Sequence, residues 1–261
     1  LLDKKNRRLL LKAEVVLQRG ALEMLCCLKR TKEHESILAL DAEAFVVHSG
    51  LLALGARPGE PVRFAPEFQP PRGQRIEIFL NWTDASGGAH REPARRWVRE
   101  TVHRYWTARL DQLPPGLNLP RELELKYDQK HKELLWYGPM SEEQKRKLLA
   151  LSDNEEFRRA ISYFHERGQS REMKADWVFA GSGFHTDEET GKKFYQAEEG
   201  DLICVANFPG AMIDVAVQSS AEGQELAFEA FTERIPEKGT EVIIELLLAK
   251  VEEPAAPSKK N

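Results

Sequence analysis

Long apolar runs are missing from this chain, and none approaches the roughly 20 residues that a membrane-spanning helix needs. Also missing is a secretory leader, with its positive start, apolar centre and small-residue cleavage site. The first residue is Leu1 rather than methionine, as expected of a processed or trimmed chain whose export signal, if it had one, has gone. Cysteine is scarce. Cys26, Cys27 and Cys204 cannot supply the four thiolates of a usual iron–sulfur cluster. Neighbours on a strand, Cys26 and Cys27 would point to opposite faces, so only one could meet Cys204 in a shared core. Buried free thiols are the reading adopted, with a disulfide from Cys204 to one of them as the alternative. Charge of one sign is not in excess either. The balance of 38 basic against 42 acidic side chains gives no global pull toward nucleic acid or an anionic membrane.

Complete catalytic signatures are absent too. Gly181-Ser182-Gly183 does not fit G-x-S-x-G, and it lacks the lysine and spacing of a phosphate-binding loop. It reads as a turn whose backbone amides could hold an anion, with Trp177 and Phe184 as apolar walls. His34, Glu35 and His48 offer ligand and acid–base chemistry, but not the H-E-x-x-H spacing that puts two histidines on one helical face. No cofactor motif and no metal ligand set is expected.

What the chain does have is a change of period. Residues 1–102 and 175–250 alternate as short strands, whereas 103–174 is expected to be a helical insertion. Gly20 between Arg8–Leu17 and Ala21–Leu28 suggests a hairpin. Ser36–Leu40 reads as a buried strand. Asp41 is placed to N-cap a helix ending near Leu54, with Gly55 as its stop and Phe45, Val46, His48, Leu51, Leu52 and Leu54 on an apolar face. Arg75–Trp82, the turn from Asp84 to Gly88 and a return over His90–Val98 form the clearest hairpin.

In the middle, Pro114-Pro115-Gly116 separates two helical stretches. Ser141 with Gln144 and Ser152 with Glu155 are capping boxes, and Gly168 ends the last helix. From His103 to Lys174 there are 14 Lys and Arg against 12 Asp and Glu, which describes a solvated, charge-laced element rather than a basic arm. Strand character resumes at Trp177 and continues to Leu248. Residues 251–261 read as a disordered tail. The class expected is α+β: a strand-rich, mainly antiparallel domain with one short helix, discontinuous over 1–102 and 175–250, interrupted by 103–174.

Five ordered blocks then carry a family resemblance: Thr31–Ala42 (TKEHESILALDA), His48–Val62, Asp176–Phe184 (DWVFAGSGF), Gly200–Phe208 (GDLICVANF) and Phe228–Pro236. Together they resemble the YdjY-like domain proteins of planctomycete bacteria. In such relatives the tryptophan strand near Trp97 passes quickly to the DWVFAGSGF block, so 103–174 departs from the family pattern. The resemblance implies an exported or periplasmic protein and a redox-associated role by naming, with no catalytic residue to carry over.

The leading functional expectation is a non-catalytic binding or assembly module. Its helical insertion, with Phe157, Ile161 and Phe164 at helical spacing, would pack against the parent domain or contact a protein partner. A candidate groove gathers His34, Glu35, Ser36, His48, Trp177, Ser182 and Asn207. The alternative is a redox-associated or metal-dependent accessory or enzyme around His34, Glu35 and His48, drawing also on Ser182 and Cys204. A third reading, single-stranded nucleic acid on Arg91–Arg109 with Trp97, Tyr105 and Trp106 interleaved, ranks last. Asp201, Asn207, Asp214 and Glu229 are read as turn and edge residues.

Overall fold

The computed structural model describes residues 1–119, 124–188, 190–220 and 226–249. It is strand-rich, about 37% strand against 19% helix, and divides into two compact units, Leu1–Arg99 with Glu172–Asn261 and Glu100–Arg171. Among the described residues no helix is long and apolar enough to cross a membrane. The tail expected over 251–261 lies outside the described residues.

Eight strands of the first unit close into a barrel: β1 (Arg8–Val15), β2 (Met24–Leu28), β3 (Ser36–Leu40), β4 (Arg72–Thr83), β5 (Trp177–Phe179), β6 (Ile203–Cys204), β7 (Ile213–Val215) and β8 (Glu241–Leu248). The ring runs β1-β8-β4-β5-β7-β6-β2-β3 and back to β1. The β6–β7 and β2–β3 contacts are parallel and the other six antiparallel. Period-two patterning fills the interior. Ile244 stands opposite Leu11 on one side and Leu80 on the other, and all three are buried. A slip of one residue would turn that set outward, so the register is strongly specified. On the opposite face of β8, Glu245 is buried between Arg8 and Arg91, each 2.9 Å away.

The expected hairpin over residues 8–28 does not form. β1 and β2 each border β3 rather than one another. The chain between them instead contributes Ala21–Leu22, which pairs with Phe228–Ala230. The β4 hairpin with Ala89–Pro93 forms as the alternation suggested.

Helix α1 (Ala44–Ala53) directs Ala44, Val47 and Leu51 into the barrel core, and Gly50 passes so close to Leu9 that an added Cβ would lie 3.0 Å from its side chain. The helix ends where expected, with Gly55 in the left-handed region at φ +87°. Its apolar face is narrower than the sequence suggested, for Phe45, Val46 and Leu52 are exposed. Asp41 is not its cap. The N-cap position is Glu43, without a side-chain bond, and the first amides are satisfied from elsewhere in the chain.

The middle unit is not purely helical. Tyr105–Arg109, Lys126–Asp128 and Glu133–Tyr137 form an antiparallel three-stranded sheet ahead of α2 (Glu142–Leu149) and α3 (Glu155–Arg167). Tyr105–Arg109 is a strand because its residues alternate: Trp106 and Ala108 pack on the unit's core while Tyr105 and Arg109 stay exposed. The Ser141–Gln144 capping box is present. At α3 the cap is Asn154, whose Oδ1 accepts from Phe157 N–H at 2.9 Å, and Ser152 supports it by accepting from Asn154 N–H.

Phe157, Ile161 and Phe164 are fully buried against Leu134, Trp136 and Leu148 in this unit's own core. They are therefore not a partner surface: the amphipathic stripe is consumed by the three-stranded sheet that sequence periodicity had not revealed. The chain leaves the first unit at Arg99 and returns at Glu172, and these two residues are bridged antiparallel.

Candidate functional site

The residues gathered from sequence as one groove separate into different settings. Ser36 is fully buried, its hydroxyl donating to Leu38 O. Trp177 lies in the barrel core with Nε1 donating to Cys204 O at 2.8 Å. Asn207 is buried, holding Asp214 Oδ1, Val215 O and Ser219 N–H. His34 is largely exposed, 3.6 Å from the Glu35 carboxylate. None of these has the accessibility or the neighbours to share a centre with His48. Among the described residues no group of three or more His, Cys, Asp and Glu is arranged to hold a metal ion. All three cysteines are free and buried. Burial raises the thiols of Cys26 and Cys204 well above the usual range, which makes them poor nucleophiles.

His48 and Ser182 do meet, through a residue that sequence reasoning passed over. Tyr195 OH donates to Gly181 O at 3.0 Å and stands 2.7 Å from His48 Nδ1. With its proton on Gly181, the tyrosine oxygen accepts from Nδ1–H, which leaves Nε2 as the ring's basic nitrogen. Burial lowers the His48 pKa, against a contact with Gly181 backbone that raises it, so the imidazole is neutral at physiological pH. Burial also raises the Tyr195 hydroxyl pKa, so it stays protonated. Ser182 adopts φ +59°, and its hydroxyl donates to Gly210 O at 2.7 Å. That bond ties up the proton a nucleophilic serine would give to a base.

Around this polar pair lies an exposed apolar surface. Phe45, His48 and Leu52 fall at i, i+3 and i+7 along α1, one stripe of the helix. Phe45 is 54% exposed and Leu52 46%. The hairpin of Phe184–Thr186 with Lys193–Tyr195 brings Phe184, 62% exposed, directly opposite Tyr195, the rings 5.4 Å apart. Phe45 meets the edge of the same tyrosine at 6.2 Å.

Glu198, after the hairpin, completes the joint. Its two carboxylate oxygens accept from Ala44 N–H at 3.0 Å and Phe45 N–H at 2.8 Å. Two otherwise unsatisfied amides of α1 are capped from about 150 residues away, and the negative charge suits the helix N-terminus. Glu198→Ala is expected to cost about 1 kcal/mol, as cap deletions do. Hydrogen exchange should show the loss as faster exchange at Ala44 and Phe45 relative to Leu51. Equal protection in the variant would contradict the capping role.

A second polar cluster surrounds β6. Lys32 Nζ pairs with Asp201 Oδ1 at 2.6 Å and lies 4.5 Å from the Phe208 ring centre. Beside it, burial together with a hydrogen bond to Glu35 raises Glu23 to about 7. Asp214, on β7, is fully buried. Its Oδ1 accepts from Asn207 Nδ2, its Oδ2 has no hydrogen-bond partner, and burial raises its pKa to about 7. Asp201, Asn207, Asp214 and Glu229 are thus buried rather than turn and edge residues. Short strands and covering loops seal them in, which alternation alone does not disclose.

The basic stretch is largely neutralised in place. Arg91 pairs with Glu245, Arg95 with Asp176, Arg96 with Glu92, Arg99 with Glu229 and Arg109 with Asp111. Trp97 is buried, so it offers no platform for a stacked base.

Neither a curated protein nor a solved structure matches the chain. The YdjY domain model matches residues 1–109 and 152–246, covering the barrel, α1, the Tyr195 hairpin and α3, and the chain belongs to the YdjY domain family.

Proposed function

We propose that this YdjY domain is a non-catalytic binding module that holds a protein partner on α1 and the Phe184–Tyr195 hairpin. The observation that carries this reading is the concentration of exposed apolar surface. Among the described residues of the outer unit, seven large apolar side chains are exposed: Leu1, Phe45, Val46, Leu52, Phe64, Phe184 and Phe194. Five of these seven belong to the two elements that Glu198 and the His48–Tyr195 contact join. Monomeric proteins seldom leave several large apolar side chains of neighbouring elements uncovered, and aromatic side chains supply much of the energy in protein interfaces.

Cavities of about 740 and 760 Å³ open away from this face, at Trp82 and at Arg30. The middle unit has its own core, and in this reading the contact the sequence assigned to it moves to the outer unit.

A photoreactive phenylalanine analogue at Leu52 or Phe184 is expected to crosslink one protein in extracts of the source cells, identifiable by mass spectrometry. The same analogue at Phe64, which belongs to neither element, should not. Phe45→Glu with Phe184→Glu should keep the wild-type melting temperature and lose the crosslink. Equal crosslinking from Phe64 and Leu52 would defeat the reading.

A further inference from the structure

We infer that the cavity beside the turn after β2 is a site for a small oxyanion, a phosphate or carboxylate group carried by a small molecule. This cavity, about 760 Å³, lies between that turn and the connection into β8 and is distinct from the α1 face. Its cations are Lys29, Arg30 and Lys238, with His34 at the rim, and its carboxylates are Glu14 and Glu33.

The carboxylates are already engaged. Glu14 Oε2 lies 3.4 Å from Lys29 Nζ, and Glu33 Oε1 accepts from the backbone N–H of Arg30 at 3.0 Å. Among the described residues neither the Arg30 guanidinium nor the Lys238 ammonium has a carboxylate within ion-pair distance. Three cations against two carboxylates leave the lining at +1. Among the described residues of the unit Arg7, Arg19, Arg30, Arg57 and Arg72 have no carboxylate within ion-pair distance, and of these Arg30 lines this cavity. A planar guanidinium with a nearby ammonium suits the paired oxygens of phosphate or carboxylate. Val16 and Leu17 add an apolar wall against which the rest of such a molecule could rest.

Arg30 is also the wrong residue for its backbone. At φ +66° it occupies the left-handed region where glycine is unstrained and a branched or long side chain is not. Glu33 holds it there through the backbone, which gives the side chain no structural work in the turn. A residue kept against local preference, with its charge turned to a cavity, is explained by a ligand.

The test is a titration of the whole protein, ¹⁵N-labelled, with sodium phosphate and separately with sodium acetate. Sodium chloride holds the ionic strength constant, so that screening does not change. Saturable shifts at the amides of Arg30, His34 and Lys238 are expected with at least one anion, and the tighter of the two identifies the headgroup. Arg30→Gly should leave melting temperature unchanged or higher, because it relieves the turn, while weakening binding at least tenfold. Lys238→Gln should weaken it similarly in a folded protein. Linear, unsaturated shifts with both anions would overturn the proposal. So would Arg30→Gly binding as tightly as wild type.

Discussion

Asp214→Asn is expected to stabilise the protein at pH 8 and to leave it unchanged at pH 4. The carboxyl is fully buried with Oδ2 unpartnered, and burial raises its pKa from 3.8 to about 7. A group whose folded pKa exceeds its unfolded one binds its proton more tightly in the folded state. The stability it contributes is therefore complete below pH 3.8 and is lost as pH rises toward 7, with no further loss above. A shift of about three pH units corresponds to about 4 kcal/mol, a large part of the 5–15 kcal/mol that holds a typical domain together.

Asparagine resembles the protonated acid. It keeps an acceptor for Asn207 and Val215 and places an uncharged group at the Oδ2 position. The variant at pH 8 should melt roughly 10 °C above wild type at that pH, taking 2–4 °C per kcal/mol for a unit of this size. Calorimetry from pH 4 to pH 8 is the measurement. Parallel pH–stability curves for the two proteins would show that Asp214 is not the group titrating. Glu23, raised to about 7 by burial and its hydrogen bond to Glu35, is expected to contribute to the slope that remains in Asp214→Asn.

Asp214 also shows why sequence reaches some features and not others. Where a strand is long and one face is buried, as in β1, β4 and β8, alternation names the interior residues without a structure. The β4 hairpin and the caps at Ser141 and Gly55 were legible for the same reason: the partners lie within a few residues and the chemistry is local. β5, β6 and β7 are two or three residues long, too short for a period, and their outward residues are sealed by covering loops. Asp214 therefore reads as an edge residue and proves buried.

Distance in sequence defeated the rest. Glu198 caps α1 across about 150 residues, and Tyr195 joins His48 to Gly181 with nothing in the chain near His48 to announce it. The α3 stripe was correctly recognised as apolar and wrongly given a partner, because its cover, Leu134 and Trp136, is a strand inside a segment whose dominant period is helical. A hydrophobic stripe establishes that something covers it and does not say whether the cover comes from the same chain. The exposed Phe45–Leu52 stripe poses that question again, here with the described chain already folded around it.

Arg99→Met should be among the most damaging single substitutions in the outer unit. Arg99 Nε donates to Glu229 Oε1 at 2.7 Å, both side chains being more than 90% buried, and its guanidinium lies 5.0 Å from the Phe231 ring centre. The pair joins Val98–Glu100 to Phe228–Ala230, neighbouring strands of a second small sheet whose third member is Ala21–Leu22. Removing the cation leaves a carboxylate that was taken out of water on the strength of that partner, and such losses cost about 3–5 kcal/mol.

The pair itself need not be strongly stabilising, because desolvating both charges offsets most of their attraction. Arg99→Met with Glu229→Met should therefore recover most of what the single substitution loses, although methionine fills the space less well than the pair. Urea denaturation of the four proteins in the cycle separates these contributions, with the midpoints of both single variants, Arg99→Met and Glu229→Met, well below those of wild type and the double variant. An Arg99→Met variant within about 1 kcal/mol of wild type would mean that water already screens the Glu229 carboxylate. A double variant as unstable as the sum of its parts would mean that the strands depend on the charges themselves. Because Arg99 is the last residue before the middle unit and is bridged to Glu172 where the chain returns, the same experiment followed by proteolysis at Glu100–Arg171 tests whether that closure is what keeps the returning strand in register. Faster cleavage near Glu172 in Arg99→Met, restored in the double variant, is the expected result.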